Sequence, residues 1–273
     1  MKIISDGPDL LLEVPGFSLA DTLDCGQCFR WESAADGAFH GVHRDRSLTV
    51  SQEGDFLRFH RVSPEELKAF WIPYFDLDTD YPAMNGAFSA DPTLREACRC
   101  AGGIHILRQD PWEALCSFIV SQNNNIPRIK GILSRLCEGF GVPCGDGRTF
   151  PGPEVLAAQT PEALAPLRAG FRVRYLLDAA RKICCGQIDL SAIPRLSLNE
   201  ARSELMKITG VGPKVADCTL LFGFHRLDAF PVDTWMKKAL ARYYPDGFPE
   251  ISHAGVAQQY LFHYIRRLDG AQK

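Results

Sequence analysis

The stretch LMKITGVGPK, residues 205–214, constrains the fold of this chain more than any other segment. A capping box of Ser197 and Glu200 begins a helix ahead of it, and Pro213 suits the first position of a second helix. Gly210 and Gly212 permit a tight turn between them, because glycine accepts backbone angles that a side chain forbids. Successive free N–H groups at such a turn form a site for phosphate. The segment therefore predicts two helices joined by a glycine hairpin over about 198–224, a unit that binds a nucleic-acid backbone without reading a base sequence.

Two polar residues near this unit have more than one interpretation. Lys214 stands in the first turn of the second helix, where the helix dipole disfavours a cation. Its position alone is compatible with a phosphate-binding or solvated lysine and equally with an amine that acts as a nucleophile. Asp233, in the segment PVDTW, is in isolation best explained as the N-cap of a further helix.

The combination is more specific than its parts. LMKITGVGPKVADCTLLF followed by FPVDTW resembles the helix-hairpin-helix, Gly/Pro-rich loop and aspartate of the base-excision DNA glycosylase superfamily. The lysine at position 214 makes the segment similar to that of the bifunctional members, which remove a base and then nick the strand. The resemblance implies that Lys214 and Asp233 are catalytic and that Gly210 and Gly212 lie against DNA phosphates.

A segment near the N-terminus is similar to one branch of that superfamily, the 8-oxoguanine DNA glycosylases. CGQCFRW, residues 25–31, resembles the family's G-Q-x-F-R-W. The resemblance implies that the backbone carbonyl of Gly26 accepts the N7–H that distinguishes 8-oxoguanine from guanine. An unpaired buried acceptor costs about 1–3 kcal/mol, which would disfavour guanine. Without the other matches, Phe29 and Trp31 would be explained as packing at a strand edge.

Two further segments imply contacts with the opposite base. SQNNNIPRI, residues 121–129, is similar to S-N-N-N-I-x-R, in which Asn123 would fill the space left by the flipped base and Arg128 would bind the orphaned cytosine. In isolation, three consecutive asparagines are typical of a turn or helix cap. GFRVRY is similar to G-Y-R-x-R-Y, which implies a second cytosine contact from Arg172 and an apolar wedge at Phe171, where the family often has Tyr.

The C-terminal segment GVAQQYLF resembles the helix that completes the base pocket. The resemblance implies that Gln258 contacts the Watson–Crick edge of the base and that Phe262 contacts its face. The two residues are four apart and therefore lie on one face of the helix. Cys218 would stack on the opposite face of the base. Gln259 is an alternative to Gln258, and Phe262 could be ordinary core packing. Trp235 departs from the pattern, because animal-type members have a histidine there, near a 5′ phosphate.

Composition excludes some classes of protein. The chain has 273 residues, 46% hydrophobic and 23% charged, with a net charge of −3, so any basic DNA-binding face must be local. No apolar run is long enough for a membrane span, and the N-terminus lacks a signal-peptide pattern. We expect a monomer in the cytoplasm or nucleoid of a bacterium, or in a eukaryotic nucleus. The ten cysteines lack zinc-ligand spacing, so we expect no metal and no required cofactor, although a structural monovalent cation at the hairpin is compatible with the sequence.

The order of patterns predicts an α+β fold. Residues 8–61 alternate as short antiparallel strands, residues 75–92 are polar and turn-rich, and helical signals begin at Asp91. The prediction is an N-terminal antiparallel β domain over 1–88, followed over 89–273 by a mainly α-helical helix-hairpin-helix DNA glycosylase core.

The sequence thus predicts a bifunctional enzyme that removes 8-oxoguanine from double-stranded DNA, preferably opposite cytosine, and nicks the strand through a Schiff base on Lys214. Two alternatives stay open. One is a glycosylase of the same fold for another damaged base, and the other is a non-catalytic DNA-binding module that uses the hairpin only for phosphate.

Overall fold

The computed structural model describes residues 2–270, and it confirms the predicted order of an N-terminal antiparallel sheet followed by a helical core. Residue 1 and residues 271–273 of the predicted domains lie outside the described residues. The chain divides into two compact units that are interleaved in sequence. The first contains the residues up to 27, 51–108 and those from 225 on, and the second contains 28–50 and 109–224. The predicted boundary at residue 88 does not coincide with a boundary between these units.

Six short strands form one sheet in the order β1-β2-β6-β5-β4-β3. Their bounds are β1 Ile3–Asp6, β2 Asp9–Glu13, β3 Trp31–Ser33, β4 Phe39–His43, β5 Arg46–Glu53 and β6 Phe56–Phe59. Alternation explains which residues face inward: Leu12 of β2 lies opposite Leu57 of β6, and both are fully buried. In the second unit Gly41 of β4 lies opposite Trp31 of β3, where a Cβ would stand only 2.4 Å from the indole ring.

The N-terminal region differs from the sequence prediction in two places. Strand β1 precedes the predicted start at residue 8, and helix α1, Leu19–Asp24, interrupts the stretch predicted to be strands. The Ser18 hydroxyl begins this helix by accepting the backbone N–H of Asp21 at 3.3 Å. A six-residue helix is too short to show a helical period, so this local cap was the available signal.

The rest of the first unit is helical. It contains α2 Pro64–Glu66, a π-helical turn Leu67–Trp71, α3 Ile72–Tyr74, α4 Tyr81–Phe88, α5 Pro92–Ala101, α12 Thr234–Tyr243 and α13 Ala254–Gly270. Helix α4 falls in the stretch predicted to be a polar crossing, because Asp80 caps it and Pro82 occupies its first turn. No helix within residues 2–270 is long and apolar enough to cross a bilayer.

The second unit is built around two buried helices. It contains α6 Pro111–Ser121, α7 Ile126–Phe140, a small hairpin of β7 Pro143–Cys144 and β8 Gly147–Arg148, α8 Pro153–Ala157, α9 Arg172–Cys184, α10 Leu198–Leu205 and α11 Pro213–Gly223, with 3₁₀ turns at Ala165–Leu167 and Ile193–Arg195. Helices α6 and α11 pack closely at Gly223 of α11. A Cβ atom at this position would lie only 2.9 Å from the Cβ atom of Ala114 in α6, so the close packing requires glycine. Phe118 and Phe222 stack across them with ring centroids 5.3 Å apart.

Candidate active site

The predicted hairpin is present between α10 and α11. The Ser197 hydroxyl accepts the Glu200 backbone N–H at 3.3 Å, and the Glu200 carboxylate accepts the Ser197 N–H at 2.9 Å, so the capping box is complete. Gly210 has the expected left-handed conformation, with φ +80°. Gly212 does not, because its φ of −99° is accessible to any residue. Open space surrounds its Cβ position, with no atom within 4 Å. Gly212 therefore leaves room beside the amides at the start of α11.

Lys214 is the second residue of α11 and is half-buried. Its ammonium nitrogen donates to the Ser121 hydroxyl at 3.3 Å and lies 5.2 Å from the centroid of the Phe118 ring. Sequence reasoning did not anticipate Ser121 as the neighbour, although Ser121 opens the SQNNNIPRI segment. Cys218 lies one turn further along α11 and is buried. The packing of α11 on α6 thus brings the lysine beside the end of α6 that leads to Asn123.

The three asparagines have different local roles. Asn125 caps α7 by accepting the Arg128 backbone N–H at 3.0 Å, as expected for a helix cap. The Asn124 side chain donates to the Val120 carbonyl at 3.1 Å. Asn123 is exposed and has φ +46°, a conformation that is uncommon for a residue other than glycine. Such left-handed residues concentrate at ligand sites.

Arg172 holds this loop in place. Its side chain is only 3% exposed, and its guanidinium donates to the carbonyls of Gln122, Asn123 and Ala169. Burial and the charge of Arg128 lower the pKa of Arg172 from its usual value. The predicted contact of Arg172 with cytosine stays a prediction, and in this structure the guanidinium is occupied by the loop backbone.

The residue before it is strongly exposed. Phe171 is 47% exposed and packs edge-on against Tyr175, with ring centroids 5.6 Å apart. The Arg172 guanidinium carbon lies 4.4 Å from the Phe171 ring centroid. An exposed aromatic ring at the start of a helix is suited to the predicted wedge role. Eight of the twelve predicted site residues lie in the second unit: Asn123, Arg128, Phe171, Arg172, Gly210, Gly212, Lys214 and Cys218.

The other four predicted residues belong to the first unit. Asp233 is the N-cap of α12, where Oδ1 accepts the Met236 N–H at 2.8 Å. Gly26 has φ +92°, which explains the glycine at that position. Phe262 is half-buried on α13, with the Arg266 guanidinium 5.4 Å from its ring centroid.

The structure distinguishes the two neighbouring glutamines of α13. The Gln259 amide donates to the Cys25 carbonyl at 3.4 Å. The Gln258 side chain is 4% exposed, and its Oε1 is one of the buried side-chain oxygens among the described residues that have no hydrogen-bond partner. An orphaned buried acceptor is costly unless a ligand satisfies it, which favours Gln258 over Gln259 for contact with a base.

Two further features are the metal-ligating side chains and Trp235. Within residues 2–270, no group of three His, Cys, Asp or Glu side chains is arranged to hold a metal ion. Trp235, the departure from the family pattern, is 37% exposed in the first turn of α12, with the Lys238 ammonium 5.4 Å from its ring.

The fold, with its helix-hairpin-helix of α10 and α11, defines a class: the helix-hairpin-helix DNA-repair glycosylases. Two sequence profiles agree. Residues 10–115 match the 8-oxoguanine DNA glycosylase N-terminal domain, and residues 116–248 match the HhH-GPD superfamily of base excision DNA repair proteins. The N-glycosylase/DNA lyase of Saccharomyces cerevisiae is 32% identical over 255 residues, covering 83% of this chain and 68% of the yeast protein.

Solved structures agree as well. MBOgg1 in complex with a low-affinity DNA ligand is 39% identical, with a TM-score of 0.91 over 98% of this chain and 99% of that one. The 8-oxoguanine glycosylase/lyase of Clostridium acetobutylicum, bound to dsDNA with cytosine opposite 8-oxoG, is 36% identical, with a TM-score of 0.90 over the same shares. The chain belongs to the 8-oxoguanine DNA glycosylase/lyase family, and it is an enzyme of base excision repair.

Proposed function

We propose that this enzyme excises 8-oxoguanine from duplex DNA, preferably opposite cytosine, and nicks the strand 3′ to the resulting abasic site. The observation that carries the proposal is the place of Lys214, in the first turn of the helix that follows the phosphate-binding hairpin and beside the Asn123 loop. The relatives named above, a DNA lyase and an 8-oxoguanine glycosylase/lyase bound to damaged DNA, support the same reaction.

The proposed chemistry uses protein groups alone. The amine of Lys214 attacks C1′ of the flipped nucleotide, and the electrons of the N-glycosidic bond leave with the base. Asp233 stabilises the positive charge that develops on the sugar. Loss of a proton from nitrogen and opening of the sugar ring produce a Schiff base between Lys214 and C1′. Removal of a proton from C2′ then expels the 3′ phosphate by β-elimination.

Base recognition is assigned to four residues. The Gly26 carbonyl accepts N7–H, Gln258 meets the base edge, and Phe262 and Cys218 contact its two faces. The unpaired Oε1 of Gln258 supports its role, because a bound base would supply the missing donor.

The opposite strand is assigned to the Asn123 loop and the start of α9. Asn123 fills the gap left by the flipped base, Phe171 inserts as an apolar wedge, and Arg128 and Arg172 bind the orphaned cytosine. The exposure of Asn123, Arg128 and Phe171 supports this assignment. The cytosine contact of Arg172 requires its guanidinium to leave at least part of its hydrogen bonding to Gln122 and Asn123.

The deciding experiment is borohydride trapping on duplexes that carry one 8-oxoguanine opposite each of the four bases. We expect a covalent adduct, strongest opposite cytosine, that is absent in Lys214→Gln. Lys207→Gln is the matched control, because Lys207 lies in the same hairpin but pairs on the surface with Glu204 at 2.6 Å. An adduct that persists in Lys214→Gln would contradict the assigned nucleophile, and equal trapping opposite all four bases would contradict the cytosine preference.

Two other outcomes would redirect the assignment. Free 8-oxoguanine without an adduct would indicate a glycosylase that uses water, with Lys214 binding phosphate. Neither product would favour another damaged base or a binding module.

We further propose that the enzyme acts as a monomer and requires no cofactor, with only a structural monovalent cation admitted at the hairpin. Sedimentation of the DNA complex tests the first statement, and excision after dialysis against EDTA tests the second. A dimeric complex or a loss of excision that Mg²⁺ or Zn²⁺ restores would contradict them.

A further inference from the structure

Gln27, the residue after Gly26, has a side chain that is fully buried and saturated by backbone groups. Its Nε2 donates to the carbonyl of Thr22 at 2.8 Å and to the carbonyl of His105 at 2.8 Å. Its Oε1 accepts the backbone N–H of Leu107 at 3.0 Å. A primary amide has two donors and one carbonyl oxygen, so this side chain uses both polar ends of its amide on the main chain. The relative exposure of Gln27 is 0%.

The partners of this amide are themselves held firmly. Thr22 lies in α1, and its hydroxyl accepts the His105 N–H at 3.2 Å. The Ile106 N–H donates to the Tyr81 hydroxyl at 2.7 Å, and the His105 ring stacks on Tyr81 with centroids 3.7 Å apart. The amide of Gln27 therefore joins α1 to an ordered stretch, residues 105–107, within the first unit.

Gly26 needs an external support of this kind. It lies beyond the end of α1, outside any helix or strand, and it has φ +92° and no side chain that could anchor it to its surroundings. Its carbonyl shares a peptide plane with the nitrogen of Gln27. Anchoring Gln27 therefore limits the direction in which the Gly26 carbonyl can point.

We infer that Gln27 is a positioning residue for base recognition, and that its amide holds the Gly26 carbonyl in the orientation that accepts N7–H of 8-oxoguanine. The inference rests on the proposed function, in which Gly26 makes that contact. Gln27 itself touches only protein. A displacement of about 1 Å at a recognition group can cost about 100-fold in rate, so loss of the anchor is expected to impair base excision.

Two variants separate positioning from general stability. Gln27→Met keeps the length of the side chain and removes all three hydrogen bonds. Gln27→Glu keeps an acceptor for Leu107 but turns carboxylate oxygen toward the carbonyls of Thr22 and His105.

Gln52→Met is the matched control. The Gln52 amide also makes three backbone hydrogen bonds in the same unit, to Phe17 at 2.6 Å, Gly54 at 3.1 Å and Leu19 at 2.7 Å. None of these bonds reaches Gly26, Gln27 or residues 105–107.

The readout is a ratio of two reactions of the same protein. The first is kcat/KM for excision of 8-oxoguanine opposite cytosine, and the second is kcat/KM for nicking at a preformed abasic site, which has no base to recognise. We expect both Gln27 variants to lower excision by about 10- to 100-fold with nicking retained, whereas Gln52→Met leaves the ratio as in the wild type. A general loss of stability would lower both reactions together.

The contrary results are equally distinct. If excision and nicking fall in parallel, or if circular dichroism shows that neither Gln27 variant folds, then Gln27 serves folding alone and the inference is overturned. If both reactions are unchanged, the Gln27 amide is not needed to orient the Gly26 carbonyl, and the inference is overturned as well. If the wild type releases no 8-oxoguanine, the proposed function itself has failed and the inference falls with it.

Discussion

Gly210 and Gly212, two residues apart in the hairpin, are expected to differ in how strongly alanine changes the stability of the fold. Gly210 has φ +80°, and a Cβ there would stand 2.4 Å from Cδ2 of Tyr175, far inside contact distance. A left-handed alanine costs about 1–2 kcal/mol. Overpacking against a ring costs about 1–3 kcal/mol more. Gly210→Ala should therefore lower the free energy of unfolding by about 2–5 kcal/mol, or the melting temperature by roughly 4–20 °C for a chain of this size.

The displaced ring extends the consequence to a predicted DNA contact. Tyr175 packs edge-on against Phe171, with ring centroids 5.6 Å apart, and the Arg174 guanidinium lies 5.1 Å from the Tyr175 centroid. A shift of Tyr175 removes the support of Phe171. Gly210→Ala should therefore also weaken binding to an abasic-site duplex at temperatures where the variant is folded.

Gly212→Ala is the internal control. Its φ of −99° suits alanine, and no atom lies within 4 Å of the Cβ position. Gly212 is also the N-cap of α11, where alanine is less favourable than glycine by about 1 kcal/mol, whereas restriction of the unfolded chain by alanine returns about 0.4–1 kcal/mol. We therefore expect the free energy of unfolding to change by less than about 1 kcal/mol. DNA affinity should nevertheless fall, because the new methyl occupies space beside the amides that we propose bind phosphate.

Differential scanning calorimetry and fluorescence anisotropy with an abasic-site duplex measure both quantities on both variants. A Gly210→Ala protein that melts with the wild type would refute the steric argument. A Gly212→Ala protein with unchanged DNA affinity would refute the assignment of the hairpin amides to phosphate.

Three further predictions concern the framework of the site. Burial lowers the pKa of His105 to about 4, so the unfolded chain takes up this proton first as the pH falls below about 6.5; up to about 3 kcal/mol of stability should be lost between pH 6.5 and 4. Urea unfolding across this range should show the loss, and an equal loss in His105→Phe would contradict its source. Arg30→Met leaves the buried Glu113 carboxylate without its partner at 2.8 Å and should cost about 3–5 kcal/mol, with substantial recovery in the double variant Arg30→Met/Glu113→Leu; a double variant no more stable than Arg30→Met in urea unfolding would count against this account. Arg172→Lys cannot reproduce the forked hydrogen bonding, so amide exchange at Asn123 should accelerate, and unchanged exchange would show that the loop holds itself.

Several parts of the structure were determined by short segments of sequence. The N-caps at Asp91, Ser197 and Asp233 occur where the sequence predicts them. Each N-cap depends on a hydrogen bond to a backbone N–H only three residues further along the chain, so the local sequence is sufficient to predict it. The left-handed conformation of Gly210 also follows from its local turn, whereas that of Gly212 was wrongly expected, because a helix can begin from ordinary extended backbone.

The sequence motifs predicted the fold class and the family as well as the secondary structure. The order of an N-terminal antiparallel sheet before a helical core, and the family membership, follow from patterns in the sequence, whereas β1, α1 and α4 do not. The site roles read from those patterns stay predictions until DNA is bound.

Other features depended on contacts between distant segments. Lys214 meets Ser121 across 93 residues, and Arg172 reaches carbonyls about 50 residues away. The pairing of Gln27 with residues 105–107 spans some 80 residues. The Gln259 amide donates to the Cys25 carbonyl, 234 residues away, whereas the neighbouring Gln258 Oε1 has no partner among the described residues. Local sequence cannot specify such contacts, because a buried donor or acceptor takes whichever partner the packing of helices and strands presents to it.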